Sequence, residues 1–162
     1  MAGQSSAARI EADQDAVRLG RLDEFLGFRL RRVQNQLSKA FALATADRNL
    51  RSGLFSSLAI IAANPGISQN ELSREVGLDK SVMVLIIDDL EKFGWAIRKR
   101  SETDRRRHSL FITDSGQAYL DEMFEILGHT EEVVEKRLSR AELNLLHELL
   151  DRVYAIWTDD PS

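Results

Sequence analysis

Two changes of hydrophobic period between residues 68 and 113 constrain this chain more than any other feature of its sequence. Ser68-Gln69-Asn70-Glu71 has the Ser-x-x-Glu form of a capping box, in which a hydroxyl and a carboxylate satisfy orphan N–H groups at a helix start. A short helix over 69–76 follows and ends at Gly77. Asp79 then caps a second helix that runs through Phe93 and stops at Gly94. Two helices joined by the tight turn Gly77-Leu78 make a helix-turn-helix candidate. Beyond Gly94 the period becomes that of strands. Residues 95–100 and 108–113 are runs rich in branched or aromatic side chains, separated by the polar loop 101–107. The pattern predicts a basic β-hairpin, or wing, directly after the second helix.

The flanks are helical. Leu22, Phe25, Leu26, Leu30, Val33, Leu37, Ala40 and Phe41 recur at three- and four-residue spacing, predicting one long helix from Leu19 with Arg29, Arg31, Arg32 and Lys39 between them. A second helix is expected over 51–63 through Leu54, Phe55, Leu58, Ile60 and Ile61, stopped by Asn64-Pro65-Gly66. After the wing, a helix starting near Thr113 uses Leu120, Met123, Phe124 and Leu127. The last helix opens with a second Ser-x-x-Glu box at Ser139 and carries Leu143, Leu146, Leu149, Leu150, Val153 and Ile156. Residues 1–18 hold few large apolar groups and read as a flexible tail. The fold class is therefore mostly α with a small β-hairpin wing, on a length of 162 residues that suits one domain or a pair of small lobes.

Charge places a partner. The chain has a net charge of −4, yet residues 1–112 hold 18 bases and 14 acids, net +4, and residues 113–162 hold 4 and 12, net −8. Arg98, Lys99, Arg100, Arg105, Arg106 and Arg107 crowd into 98–107 against Glu102 and Asp104, a positive island that suits a polyanion or, less specifically, a solvated loop. The absence of cysteine excludes disulfides, thiolate metal sites and cysteine nucleophiles. No stretch reaches the ~18 apolar residues of a membrane span, and Met1-Ala2-Gly3-Gln4-Ser5-Ser6 lacks the form of a secretory leader, so the expectation is a cytoplasmic protein. Catalysis lacks a site: there is no glycine-rich phosphate loop, nucleophile elbow or His-Glu-x-x-His, and the adjacent pair Asp88-Asp89 points about 100° apart on a helix. His108, His129 and His147 are far apart, and His147 with Asp151 supplies at most one edge of a metal site, so no metal and no cofactor is expected.

In a helix-turn-helix the second helix enters the DNA major groove. On 79–93, Met83, Ile86, Ile87 and Leu90 share a core face, while Lys80, Ser81, Val84, Leu85 and Asp88 form the opposite stripe. Lys80 suits a phosphate or guanine, Ser81 a phosphate or base, and Val84 a thymine methyl. Val84 and Leu85 are either a contact surface or scattered surface hydrophobes. An arginine at the hairpin tip suits a narrow A·T-rich minor groove. Ser68, Gln69, Lys80, Ser81, Val84, Leu85, Arg98, Arg105, Arg106 and Arg107 are the expected contacts to double-stranded DNA.

The order Ser68-Gln69-Asn70-Glu71-Leu72-Ser73, Leu78-Asp79-Lys80-Ser81, Leu90-Glu91-Lys92-Phe93-Gly94-Trp95, Asp104-Arg105-Arg106 and Ile112-Thr113-Asp114-Ser115-Gly116 resembles the MarR (multiple antibiotic resistance regulator) family of winged-helix repressors over roughly residues 20–157. It departs from the commoner pattern at Val84 and Leu85, where a threonine and an arginine often sit. The resemblance implies a homodimer whose terminal helices pair, Arg105 or Arg106 in the minor groove, and release from a pseudo-palindromic operator when a small ligand binds. Residues 19–50 and 114–158 would then form a helical dimerisation region and 51–113 the DNA-binding domain. It also implies an effector, an aromatic carboxylate or its CoA thioester, for which Phe25, Phe28, Arg29 and Arg32 with Leu54 and Leu58 are candidate contacts. The same arginines would equally solvate an exposed face or pair across a dimer. A winged-helix protein-interaction module without DNA is the competing reading, and the arginine run at the wing tip argues against it.

Overall fold

The computed structural model describes residues 17–48, 50–100 and 108–157. Met1–Ser38 and Lys39–Ser162 form separate compact units. In the first, a 3-10 turn (Gly20–Glu24) precedes α1 (Leu26–Ala44), whose last turns belong to the second. The single helix expected from Leu19 is interrupted, because Gly20 takes φ +56° and Phe25 is extended at φ −98°, ψ 124°. Arg29 spans the break: its Nε donates to the Asp23 carbonyl at 2.6 Å and its Nη2 lies 3.1 Å from the Asp23 carboxylate.

The second unit continues through α2 (Leu54–Ala63), β1 (Ile67–Ser68), α3 (Gln69–Val76), α4 (Lys80–Lys92), β2 (Ala96–Arg100), β3 (His108–Ile112), α5 (Asp114–Glu135) and α6 (Arg140–Ala155). The fold is mostly helical with a small antiparallel sheet in the order β1-β3-β2. The hairpin pairs Ala96 with Ile112 and Arg100 with His108, and β1 adds Ile67 opposite Leu110 and Ser68 opposite Ser109. That third strand is a dipeptide, too short for alternation to reveal it in sequence. It nonetheless ties the start of α3 to the wing.

Three elements meet in the core at helical spacing. Leu54, Leu58 and Ile61 of α2 face Leu72 of α3 and Met83, Ile86, Ile87 and Leu90 of α4, all at most 1% exposed. Ala96, Leu110 and Leu120 close it from β2, β3 and α5. Burying each large side chain contributes roughly 1.5–3 kcal/mol, which sets the rotation of α4 about its axis and so fixes which face points out.

Both capping boxes form as the sequence predicts. The Ser68 hydroxyl accepts from Glu71 N–H at 3.3 Å while Ser68 N–H donates to the Glu71 carboxylate at 2.9 Å, and Ser139 and Glu142 repeat the arrangement at α6. Asp79 behaves differently from expectation: it occupies the N-cap of α4, but its side chain accepts no capping hydrogen bond. Gly77 instead turns the chain with φ +71°, and the Gly77 and Leu78 N–H groups donate to the carbonyls of Arg74 and Ser73. The start of α2 is also later than expected, because Gly53 is left-handed at φ +84° immediately before Leu54. Among the described residues, no helix is long and apolar enough to cross a membrane.

Candidate nucleic-acid interface

With Met83, Ile86, Ile87 and Leu90 at zero exposure, the outer stripe of α4 consists of Lys80, Ser81, Val84, Leu85 and Asp88, all exposed. Val84 is 39% and Leu85 49% exposed, an apolar spot flanked by a lysine, a serine and a carboxylate. Ser68 and Gln69, at the start of α3, are half-buried, and the Ser68 hydroxyl also donates to the Glu71 carboxylate at 2.5 Å. The loop 101–107, with Arg105, Arg106 and Arg107, lies outside the described residues.

The C-terminal end of α4 is held on two sides. Its last turn closes with Trp95 N–H donating to Leu90 O at 2.9 Å. The Gly94 carbonyl then accepts from the hydroxyls of Thr113 at 2.6 Å and Ser115 at 2.8 Å. The Thr113 hydroxyl in turn accepts from Gly116 N–H at 3.0 Å, capping α5. Thus the Thr113-Asp114-Ser115-Gly116 segment starts one helix and anchors the end of another. Phe93, Trp95 and Tyr119 continue the joint as an aromatic stack, with centroids 4.6 and 3.6 Å apart. Burial pushes the Tyr119 hydroxyl above its ordinary pKa.

The acids of α4 are occupied. Arg98 Nη2 lies 2.6 Å from Asp88 and its Nη1 2.5 Å from Glu91, while Asp89 pairs with Arg51 of the loop before α2 at 2.9 Å. Asp88 and Asp89 therefore serve different elements. Lys99 sits over the Phe111 ring at 4.9 Å, an intra-hairpin cation–π contact that leaves the ammonium at the surface. Elsewhere, Arg48 grips Glu122 of α5 with both terminal nitrogens, which holds that carboxyl below the usual carboxylate range.

The expected effector contacts differ in exposure. Phe25, Arg29 and Arg32 are exposed and Phe28 is half-buried. Leu54 and Leu58 are core residues, 1% and 0% exposed. Leu54 also backs a surface cavity of about 430 Å³ with Leu50, Arg51, Asp89 and Phe93. Sequence reading passed over the Arg98 cluster and the Thr113–Gly94 joint. An acid pair three apart on one helix, followed by an arginine in the next strand, is the signal that would have found the first.

The geometry defines a winged helix-turn-helix protein. The MarR family's sequence model matches residues 50–108. A putative transcriptional regulatory protein for the hcr operon of Thauera aromatica is 36% identical over 138 residues, spanning 85% of this chain and 83% of that one. The transcriptional repressor CouR, in a structure bound to a 23-mer DNA duplex, superposes with a TM-score of 0.76 at 31% identity over 86% of this chain and 99% of CouR. CouR bound to p-coumaroyl-CoA gives a TM-score of 0.72 at 29% identity over 86% of this chain and 98% of that one. The chain belongs to the MarR family and is a transcriptional regulator. These relatives are named for regulation and not for catalysis.

Proposed function

We propose that the chain is a ligand-responsive repressor that binds a pseudo-palindromic operator as a homodimer, with half-sites roughly 10 base pairs apart. The observation that carries this is the outer stripe of α4, where Lys80, Ser81, Val84 and Leu85 stand exposed on a helix whose other face is locked in the core. In this reading α4 enters the major groove, with Lys80 and Ser81 on phosphate or base edges and Val84 and Leu85 against thymine methyls. Ser68 and Gln69 meet the backbone at the start of α3, Arg105 or Arg106 reaches the minor groove from the wing, and Arg107 adds a further DNA contact there. Residues 51–113 form the DNA-binding domain, while 19–50 and 114–158 pair with a second copy. Acting on DNA, the protein works in the cytoplasm.

The effector proposed is an aromatic carboxylate or its CoA thioester, with Arg29 and Arg32 at the anion and Phe25 and Phe28 as apolar walls. The likeness to CouR bound to p-coumaroyl-CoA supports this class. Such a ligand lowers DNA affinity only by preferring a conformer with the wrong spacing of the two α4 helices.

A mobility-shift titration on the gene's own upstream region tests the reading. The wild-type protein is expected to retard it, and Arg106→Ala to weaken binding and make log K less steep in log salt by about 0.9 per lost phosphate contact. Added p-coumaroyl-CoA is expected to release the duplex. No retardation by the wild-type protein would leave the winged helix as a protein-interaction module.

A further inference from the structure

Sequence reasoning places Arg98 among the DNA contacts, but its guanidinium is engaged by two acids of α4. Nη2 lies 2.6 Å from Asp88 Oδ1 and Nη1 2.5 Å from Glu91 Oε2, and the Arg98 N–H donates to Glu91 Oε1 at 3.0 Å. The Arg98 side chain is 24% exposed, and Asp88, at 53%, stands about one turn beyond Val84 and Leu85 on the outer stripe of α4. Three ionised groups thus form a closed cluster of net charge −1 at the root of the wing. Without the arginine, two carboxylates would face outward uncompensated, where a phosphate backbone repels them.

We propose that Arg98 is a positioning residue for DNA binding: an internal counter-ion that masks Asp88 and Glu91 at the root of the wing, without touching DNA itself. The proposal rests on the DNA-binding reading above. It also accounts for acids on a helix that approaches a polyanion, since their charge is answered within the protein.

Fluorescence anisotropy on the upstream duplex separates the roles. Arg98→Gln is expected to weaken binding about five- to tenfold, the cost of unmasked charge near phosphate at surface dielectric. Combining it with Asp88→Asn and Glu91→Gln is expected to restore affinity to within about twofold of wild type, because charge and counter-charge leave together. Arg98→Lys keeps the charge and is expected to stay within about threefold. A triple variant as weak as Arg98→Gln would mean either a direct phosphate contact or a purely mechanical tie, and overturns the proposal. So does an equal loss in Arg98→Lys, which would assign the effect to fork geometry. Wild-type protein that binds while Arg98→Gln loses nothing removes this proposal alone, whereas wild-type protein that does not bind removes the DNA-binding reading with it.

Discussion

Gly116 sets the spacing between the wing and α5 by what it lacks. A Cβ at this position would overlap the Trp95 carbonyl, which already accepts from Thr113 N–H at 3.0 Å. The contact is backbone against backbone, so no flexible side chain can yield. Gly116→Ala is therefore expected to cost about 3 kcal/mol and lower the melting midpoint by roughly 6–12 °C, read by calorimetry. A midpoint within 2 °C of wild type, on the order of 1 kcal/mol or less, would mean that α5 can slide away from Trp95 at little cost. Residue-level reading of the sequence was uneven for a physical reason. Met83, Ile86, Ile87 and Leu90 were legible as core because helical spacing alone assigns them one face. Arg98 was not, because the partner of a charge is chosen by tertiary approach, here of β2 to α4, and nothing local distinguishes a masked arginine from a free one.

At the scale of elements, caps were the most legible feature and breaks the least. Ser68 and Ser139 start helices in the sequence and in the structure, since a capping box is a contact between residues three apart. The dipeptide β1 depends on pairing with β3, and the interruption at Phe25 falls within a continuing apolar period, so periodicity carried no trace of either. The α6 cap has a measurable titration. Hydrogen bonds from the Ser139 hydroxyl and then its N–H hold the Glu142 carboxyl below the usual carboxylate range, 4.5. A depressed folded value means that the stabilisation is complete above the unfolded pKa and fades as pH falls through the folded one. At the end of α5, Lys136 and then His129 draw Glu132 down to about 2, which keeps that carboxylate charged further into acid. Ser139→Ala is expected to destabilise α6 by about 1 kcal/mol near neutrality. The difference in helical circular dichroism between wild type and Glu142→Gln should be full above pH 4.5 and close in stronger acid. A difference independent of pH would place the role of Glu142 in packing and not in the cap.

At the scale of the molecule, α6 presents an apolar face that the proposed dimer would cover. No residue of α6 is buried, and Leu145, Leu146, Leu149, Leu150 and Tyr154 stand 36–54% exposed, followed by Ile156 and Trp157 at 66% and 70%. The periodic leucines were legible in the sequence as an amphipathic face, but what covers that face was not, because periodicity assigns a face and not its partner. Large contiguous apolar patches on soluble proteins are commonly interaction sites, which makes this face the candidate seam of the proposed dimer. In the proposed reading, the acidic residues 113–162, net −8, lie away from DNA and residues 98–107, net +4, approach it. If α6 pairs in the proposed dimer, Leu149→Glu puts a carboxylate into the seam and is expected to shift the protein to monomer in sedimentation. Operator affinity should then fall by about 10²–10⁴, because the second half-site is no longer bound intramolecularly. The melting midpoint of the wild type should rise with protein concentration, and that of Leu149→Glu should not. A Leu149→Glu protein that stays dimeric and holds its operator would put the interface elsewhere. One that becomes monomeric yet binds as tightly would break the link between pairing and recognition, since each α4 would then read its half-site alone.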